Sequence, residues 1–175
     1  MTKNIIRGFL IVLGLLVTIN AFATDSPLLG KTVEDQTLER NVSTVLKEQF
    51  PTGSYTILSY KQNVLLAGQV PNLEMKNKIN LVIKDVGGVR KLWNELKVKP
   101  NEAATEQAKD AALTALAKAR LIAQKEVNAT NIKVVTCDKV VYLLGENPGD
   151  KKQLDLGIRG IQQIKGVERV INHIQ

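Results

Sequence analysis

The chain has 175 residues, one cysteine, one histidine and a formal charge of +7 from 24 basic and 17 acidic side chains. A single cysteine excludes an intramolecular disulfide framework and a cysteine-based metal site. The modest charge excludes a concentrated polycation of the kind that demands nucleic acid, and so few candidate acids, bases and nucleophiles argue against an enzyme.

The chain opens with Lys3 and Arg7 ahead of an apolar run from Phe9 to Val17, then the small-residue site Ala21-Phe22-Ala23. This is the pattern of a Sec signal peptide cut after Ala23, since a spanning helix needs about 20 apolar residues in a row. The cut leaves 22 basic and 17 acidic residues, divided 11 to 8 before Pro100 and 11 to 9 after it. No cysteine stands at or just after Ala23, so the mature chain is expected to be a soluble periplasmic protein without a lipid anchor. Residues 24–34 read as an N-terminal extension.

The next element is a helix, with Leu38, Val42, Val45 and Leu46 at helical spacing and Thr32 with Asp35 as a capping box. A strand Tyr55–Tyr60, a polar turn at Lys61-Gln62-Asn63 and a strand Val64–Gly68 form a hairpin. An amphipathic helix over about Asn72–Val86 follows, with Leu73, Lys76, Ile79, Asn80 and Ile83 marking its faces. A strand then places Leu92, Asn94, Leu96 and Val98 on one face.

The same series recurs. An alanine-rich helix over about Thr105–Val127 carries Leu113, Leu116 and Leu121. A hairpin joins Ile132–Cys137 to Val140–Gly145 through Asp138-Lys139, with Cys137 read as a small buried hydrophobe. A helix over about Asp150–Ile164 turns Leu154, Ile158 and Ile161 inward, and a last strand aligns Val170, Asn172 and Ile174. Gly88-Val-Arg-Lys-Leu-Trp-Asn-Glu-Leu96 matches Gly166-Val-Glu-Arg-Val-Ile-Asn-His-Ile174. Gly68 and Gly145 stand 77 positions apart and Gly88 and Gly166 stand 78 apart, so one residue is inserted in the loop 147–150.

The chain therefore reads as an α+β protein of two tandem α-β-β-α-β domains, 35–100 and 101–175. Each is expected to be a three-stranded mixed sheet with two helices on one face, helped to fold by its neighbour.

The paired apolar-Gly and G-V-x-x-(apolar)-x-N patterns resemble those of the BON-domain family. The family usually has a glycine in the hairpin turn, where this chain has Asn63 and Lys139 nearby, and the second half lacks the usual valine after its glycine, having Gly145-Glu146. The resemblance implies a periplasmic dual-BON protein concerned with outer-membrane integrity and osmotic stress. It also implies a non-catalytic binding module that contacts phospholipid through its second domain, with no cofactor.

Individual residues can be weighed on that frame. The basic side chains Lys118, Arg120, Lys125, Lys151, Lys152, Arg159 and Arg169 form the best surface for anionic headgroups, although Asp110, Glu126, Asp150 and Asp155 interrupt it. Trp93 faces the helix-free side of the sheet, as an anchor for a partner or, preferably, a contact between domains. His173 is expected as a surface side chain with no group to orient it as a base. Asn94 and Asn172 are expected to bond neighbouring backbone. Gly87-Gly88 and Gly166 follow helices and precede strands, so they are caps rather than phosphate loops.

Three functions remain in order of preference: weak peripheral contact with anionic phospholipid, an adaptor within a larger envelope complex such as a secretion apparatus, and a periplasmic chaperone. The low aromatic content speaks against the last. No metal-ligand spacing or dinucleotide fingerprint is present.

Overall fold

The computed structural model describes residues 33–147 and 149–175. The signal segment, the extension up to residue 32 and Thr32 itself lie outside the described residues. The first domain runs α1 (Val33–Gln49), β1 (Ser54–Tyr60), β2 (Asn63–Val70), α2 (Leu73–Lys84) and β3 (Lys91–Val98). The second runs α3 (Ala104–Ile122), β4 (Ile132–Cys137), β5 (Val140–Gly145), α4 (Lys151–Gln162) and β6 (Arg169–Ile174). The strand orders are β1-β2-β3 and β4-β5-β6. In each sheet the hairpin is antiparallel and the last strand lies parallel to the middle one, which makes both sheets mixed.

Helical and strand periodicities deliver one apolar face from each element. Leu38, Val42 and Leu46 of α1 and Ile79 and Ile83 of α2 bury against Val64, Leu66 and Leu96. Leu113, Ala117 and Leu121 of α3 meet Leu154 and Ile161 of α4 over Val141 and Leu143 in the same way. Leu116 turns out of the core. The opposite face of each sheet carries no helix, and these two bare faces pack on each other. Tyr60, Leu65 and Ala67 meet Cys137, Val140, Tyr142 and Leu144 in a third core shared by both domains. The layers therefore run helix, sheet, sheet, helix.

One local expectation needs correction, and another falls partly outside the described residues. The capping box expected of Thr32 and Asp35 lies outside the described residues at Thr32; the Asp35 carboxylate itself sits buried over the hairpin turn, accepting from Lys61 N at 3.0 Å and Gln62 N at 3.1 Å. The alanine-rich helix stops at Ile122 instead of near Val127. Glu126 adopts φ 65°, outside a right-handed helix, and the reversal carries Val127 and Ala129 back onto the second core.

Candidate functional site

The second domain presents its outer helical layer, α3 beside α4, to solvent. On α3 the buried positions are Asp110, Leu113, Ala117 and Leu121. At 100° per residue the outward half of the helix carries Ala112, Ala115, Leu116, Ala119 and Ile122, with Leu116 and Ile122 on its two shoulders and Ala123 just past its end. All six are exposed, and the two large ones, Leu116 and Ile122, are 52% and 61% accessible. Leu156 of α4 adds a third exposed apolar side chain. The two helices meet where α4 is thin. A β-carbon at Gly157 would stand 3.1 Å from Leu121 Cδ2, and one at Gly160 would stand 3.8 Å from Arg120 Cδ, so the stem of Arg120 lies across α4.

The seven basic residues singled out from the sequence are all exposed. Lys118 and Arg120 flank the apolar ridge of α3 on opposite sides, and Lys125 follows the helix. Lys151, Lys152 and Arg159 belong to α4. Arg169 opens β6 instead, paired in register with Val140 on the sheet layer, so it is set apart from the helical group. Asp150 caps α4, accepting from Lys152 N at 2.6 Å and Gln153 N at 3.2 Å, so one of the interrupting acids has a structural partner.

Trp93 and His173 belong to the junction between domains. Their rings stack with centroids 4.8 Å apart, and His173 Nε2 lies 3.1 Å from Glu95 Oε1. His173 was expected at the surface, yet only 14% of its side chain is accessible. Its strand faces the other sheet, and Trp93 and Glu95 of β3 enclose the ring.

Around this stack the junction is polar at its margins. Lys61 Nζ meets Glu146 at 2.6 Å, while Lys97 and Lys99 both grip Asp138, at 2.7 and 2.5 Å. Inside, Lys133 Nζ lies 3.2 Å from Glu39 Oε1 and donates to the Ser59 carbonyl. Gln69 Nε2 donates to Cys137 Sγ at 3.2 Å. Burial, with the charge of Glu102 beside it, pushes the Cys137 thiol up to about 11, so only a small fraction of it is thiolate at neutral pH.

The recurring asparagines hold backbone. Asn94 Nδ2 donates to the Lys76 carbonyl at 3.2 Å and its Oδ1 accepts from Leu96 N, while Asn172 Oδ1 accepts from Ile174 N at 2.9 Å. Gly88 and Gly166 follow their helices at φ 95° and 101°.

A device that local motif reading missed repeats in both domains. The two-residue hairpin turns Lys61-Gln62 and Asp138-Lys139 have φ between 48° and 65°, which glycine or asparagine adopts more easily. In each case an aspartate on the first helix accepts from both turn N–H groups: Asp35 from Lys61 and Gln62, Asp110 from Asp138 and Lys139. One turn further along, Glu39 Oε1 accepts from Ser59 N and Thr114 Oγ1 accepts from Thr136 N, each at 2.8 Å.

Each half carries the same glycines, asparagines and helix-borne carboxylate, and the BON domain matches twice, over residues 34–100 and 109–175. The chain belongs to the BON-domain family. Among BON relatives, the outer membrane lipoprotein DolP of Haemophilus influenzae is 33% identical over 152 residues, spanning 85% of this chain and 78% of its own. The 21 kDa hemolysin of Actinobacillus pleuropneumoniae is 28% identical over 153 residues, spanning 83% and 77%. Among solved structures, CdsD, a structural protein of the type III secretion system of Chlamydia trachomatis, covers 79% of this chain and 91% of its own at 15% identity and a TM-score of 0.34.

Proposed function

We propose that this protein is a periplasmic, non-catalytic BON module that supports outer-membrane integrity by resting α3 and α4 of its second domain on anionic phospholipid. The carrying observation is the outward ridge of α3. Where a solvated helix normally shows charge, this one shows alanine, Leu116 and Ile122, with Lys118 and Arg120 on its flanks and Lys152 and Arg159 on the neighbouring helix. Apolar residues that enter the headgroup boundary between flanking cations are the arrangement of an interfacial helix. Among the described residues no helix is long and apolar enough to cross a membrane. Export rests on the Lys3-to-Ala23 signal, and an envelope site is supported by the printed name of DolP, an outer membrane lipoprotein. The adaptor reading loses its aromatic anchor, because Trp93 is engaged with His173.

Co-sedimentation with vesicles tests the proposal. Binding is expected to vesicles containing anionic lipid, to weaken with added salt and to be absent on purely zwitterionic ones. Replacing Arg120 and Arg159 together by alanine should cost about 2 kcal/mol, roughly thirtyfold in affinity. An intact protein that stays in the supernatant with anionic vesicles at low salt removes the reading.

A further inference from the structure

The strap that joins the domains carries a carboxyl in a crowded place. Glu102 lies just before α3, and only 8% of its side chain is exposed. A carboxyl oxygen of Glu102, one of Asp110 and the Cys137 sulfur all lie within 4.8 Å of one another. Among the described residues, the ionisable groups around it are Asp110 from α3, Cys137 from β4, Asp138 from the β4–β5 turn, Lys97 and Lys99 at the end of β3, and Tyr55 from β1. Tyr55 donates to the Phe50 carbonyl and takes no part. Both lysines are bound to Asp138, and Lys99 is still 3.9 Å from Glu102. The two oxygens of Asp110 already hold the turn N–H groups of Asp138 and Lys139.

Two ammonium groups thus face three carboxyl groups in a partly buried cluster, where charges repel more strongly than in water. A single proton on Glu102, donated toward Asp138, would relieve the imbalance.

We propose that Glu102 is a proton-operated latch: protonated, it bonds Asp138 and keeps the strap over the 380 Å³ cavity between the domains; ionised, it is repelled by Asp110 and Asp138 and the strap lifts from the cavity. Burial, the bond to Asp138 and the neighbouring carboxylates lift its carboxyl to about 7 against the pull of Lys99, which sets the switch near neutrality. The cavity is walled by Gln69 and Thr56 of the first domain and by Thr114, Thr136 and Cys137 of the second, with Glu102 of the strap in its lining.

Cys137 is the only cysteine of the chain and lines the cavity, so its reaction with an uncharged maleimide reads the opening. The intact protein and Glu102→Gln are compared at each pH, which cancels the intrinsic rise of thiolate with pH. The ratio of wild-type to variant rate is expected to climb about tenfold between about pH 6 and about pH 8, since the ionised fraction of a carboxyl near 7 rises from about a tenth to about nine-tenths over that range. Ionised Glu102 opposes thiolate formation at Cys137, which would lower the ratio, so a rise reports opening. A ratio constant to within about twofold overturns the latch. If Glu102→Gln does not fold, Asp138→Asn serves: with one repelling charge removed, the wild-type-like rise must move to lower pH, and an unmoved midpoint overturns the proposal equally.

Discussion

Asp35 and Asp110 explain how four residues with side chains occupy backbone conformations that favour glycine. Each non-glycine residue in the left-handed region costs on the order of 1 kcal/mol, and each turn here holds two. A buried carboxylate that accepts both turn N–H groups offsets this through charge-assisted bonds. Burial alone would raise the Asp35 carboxyl. The N–H of Gln62, the Ser59 hydroxyl, the N–H of Lys61 and the charge of Lys133 outweigh it and hold the group below its ordinary value. A carboxyl depressed in this way contributes stability that is complete above its unfolded value and is lost as pH falls through the folded one. Asp35→Asn is expected to lower stability by about 2 kcal/mol at neutral pH, and to flatten the acid limb of a urea-denaturation series relative to wild type. Replacing Gln62 by glycine in that background should recover part of the loss, because the turn then no longer needs its clamp. The signal for these aspartates was present in the sequence: Asp35 with Leu38 and Val42, and Asp110 with Leu113 and Ala117, put a carboxylate on the apolar stripe of the first helix in both halves. It went unread as a clamp because the partner N–H groups lie more than twenty residues away.

The glycines that revealed the repeat have a steric cause at the level of the strands. Gly68 and Gly145 sit at φ 133° and 151°, where β2 and β5 pass under the start of the preceding strand. A β-carbon there would stand 1.9 Å from the Ser54 carbonyl oxygen and 2.0 Å from that of Asn131. Since the clash is with backbone, Gly68→Ala and Gly145→Ala should each destabilise their hairpin by at least about 3 kcal/mol in chemical denaturation. Element type and order were legible because burial imposes periods of 3.6 and 2 on the apolar residues, and both halves repeat them. Boundaries were less so. The alanine-rich stretch promises helix up to Val127, but Val127 and Ala129 are needed in the core, and tertiary packing overrides propensity.

Taken whole, the molecule depends on its two halves. Detached from its neighbour, the second sheet would expose Val140, Tyr142 and Leu144, all almost fully buried in the intact chain. The intact protein is therefore expected to unfold in one transition, with fluorescence of Trp93, the only tryptophan, coinciding with far-ultraviolet circular dichroism. The second half alone should aggregate or bind a hydrophobic dye. The unbroken apolar run of β5 shows that both of its faces are apolar. Which partner covers the helix-free one could not be read, because Lys133 meets Glu39, and Asp138 meets Lys97 and Lys99, only after the two sheets stack. For the same reason His173 looked like a surface residue while its ring was enclosed by β3. The candidate lipid surface was legible as a set of cations on two helices, but the bare ridge between them emerged only once the buried side of α3 was fixed. Because each sheet uses its uncovered side on the other, the outward layers are helical and point in opposite directions. A molecule lying on a flat surface by α3 and α4 must hold α1 and α2 up on its far side, so it has a fixed top and bottom. Anything that binds α1 and α2 would then be presented facing away from that surface.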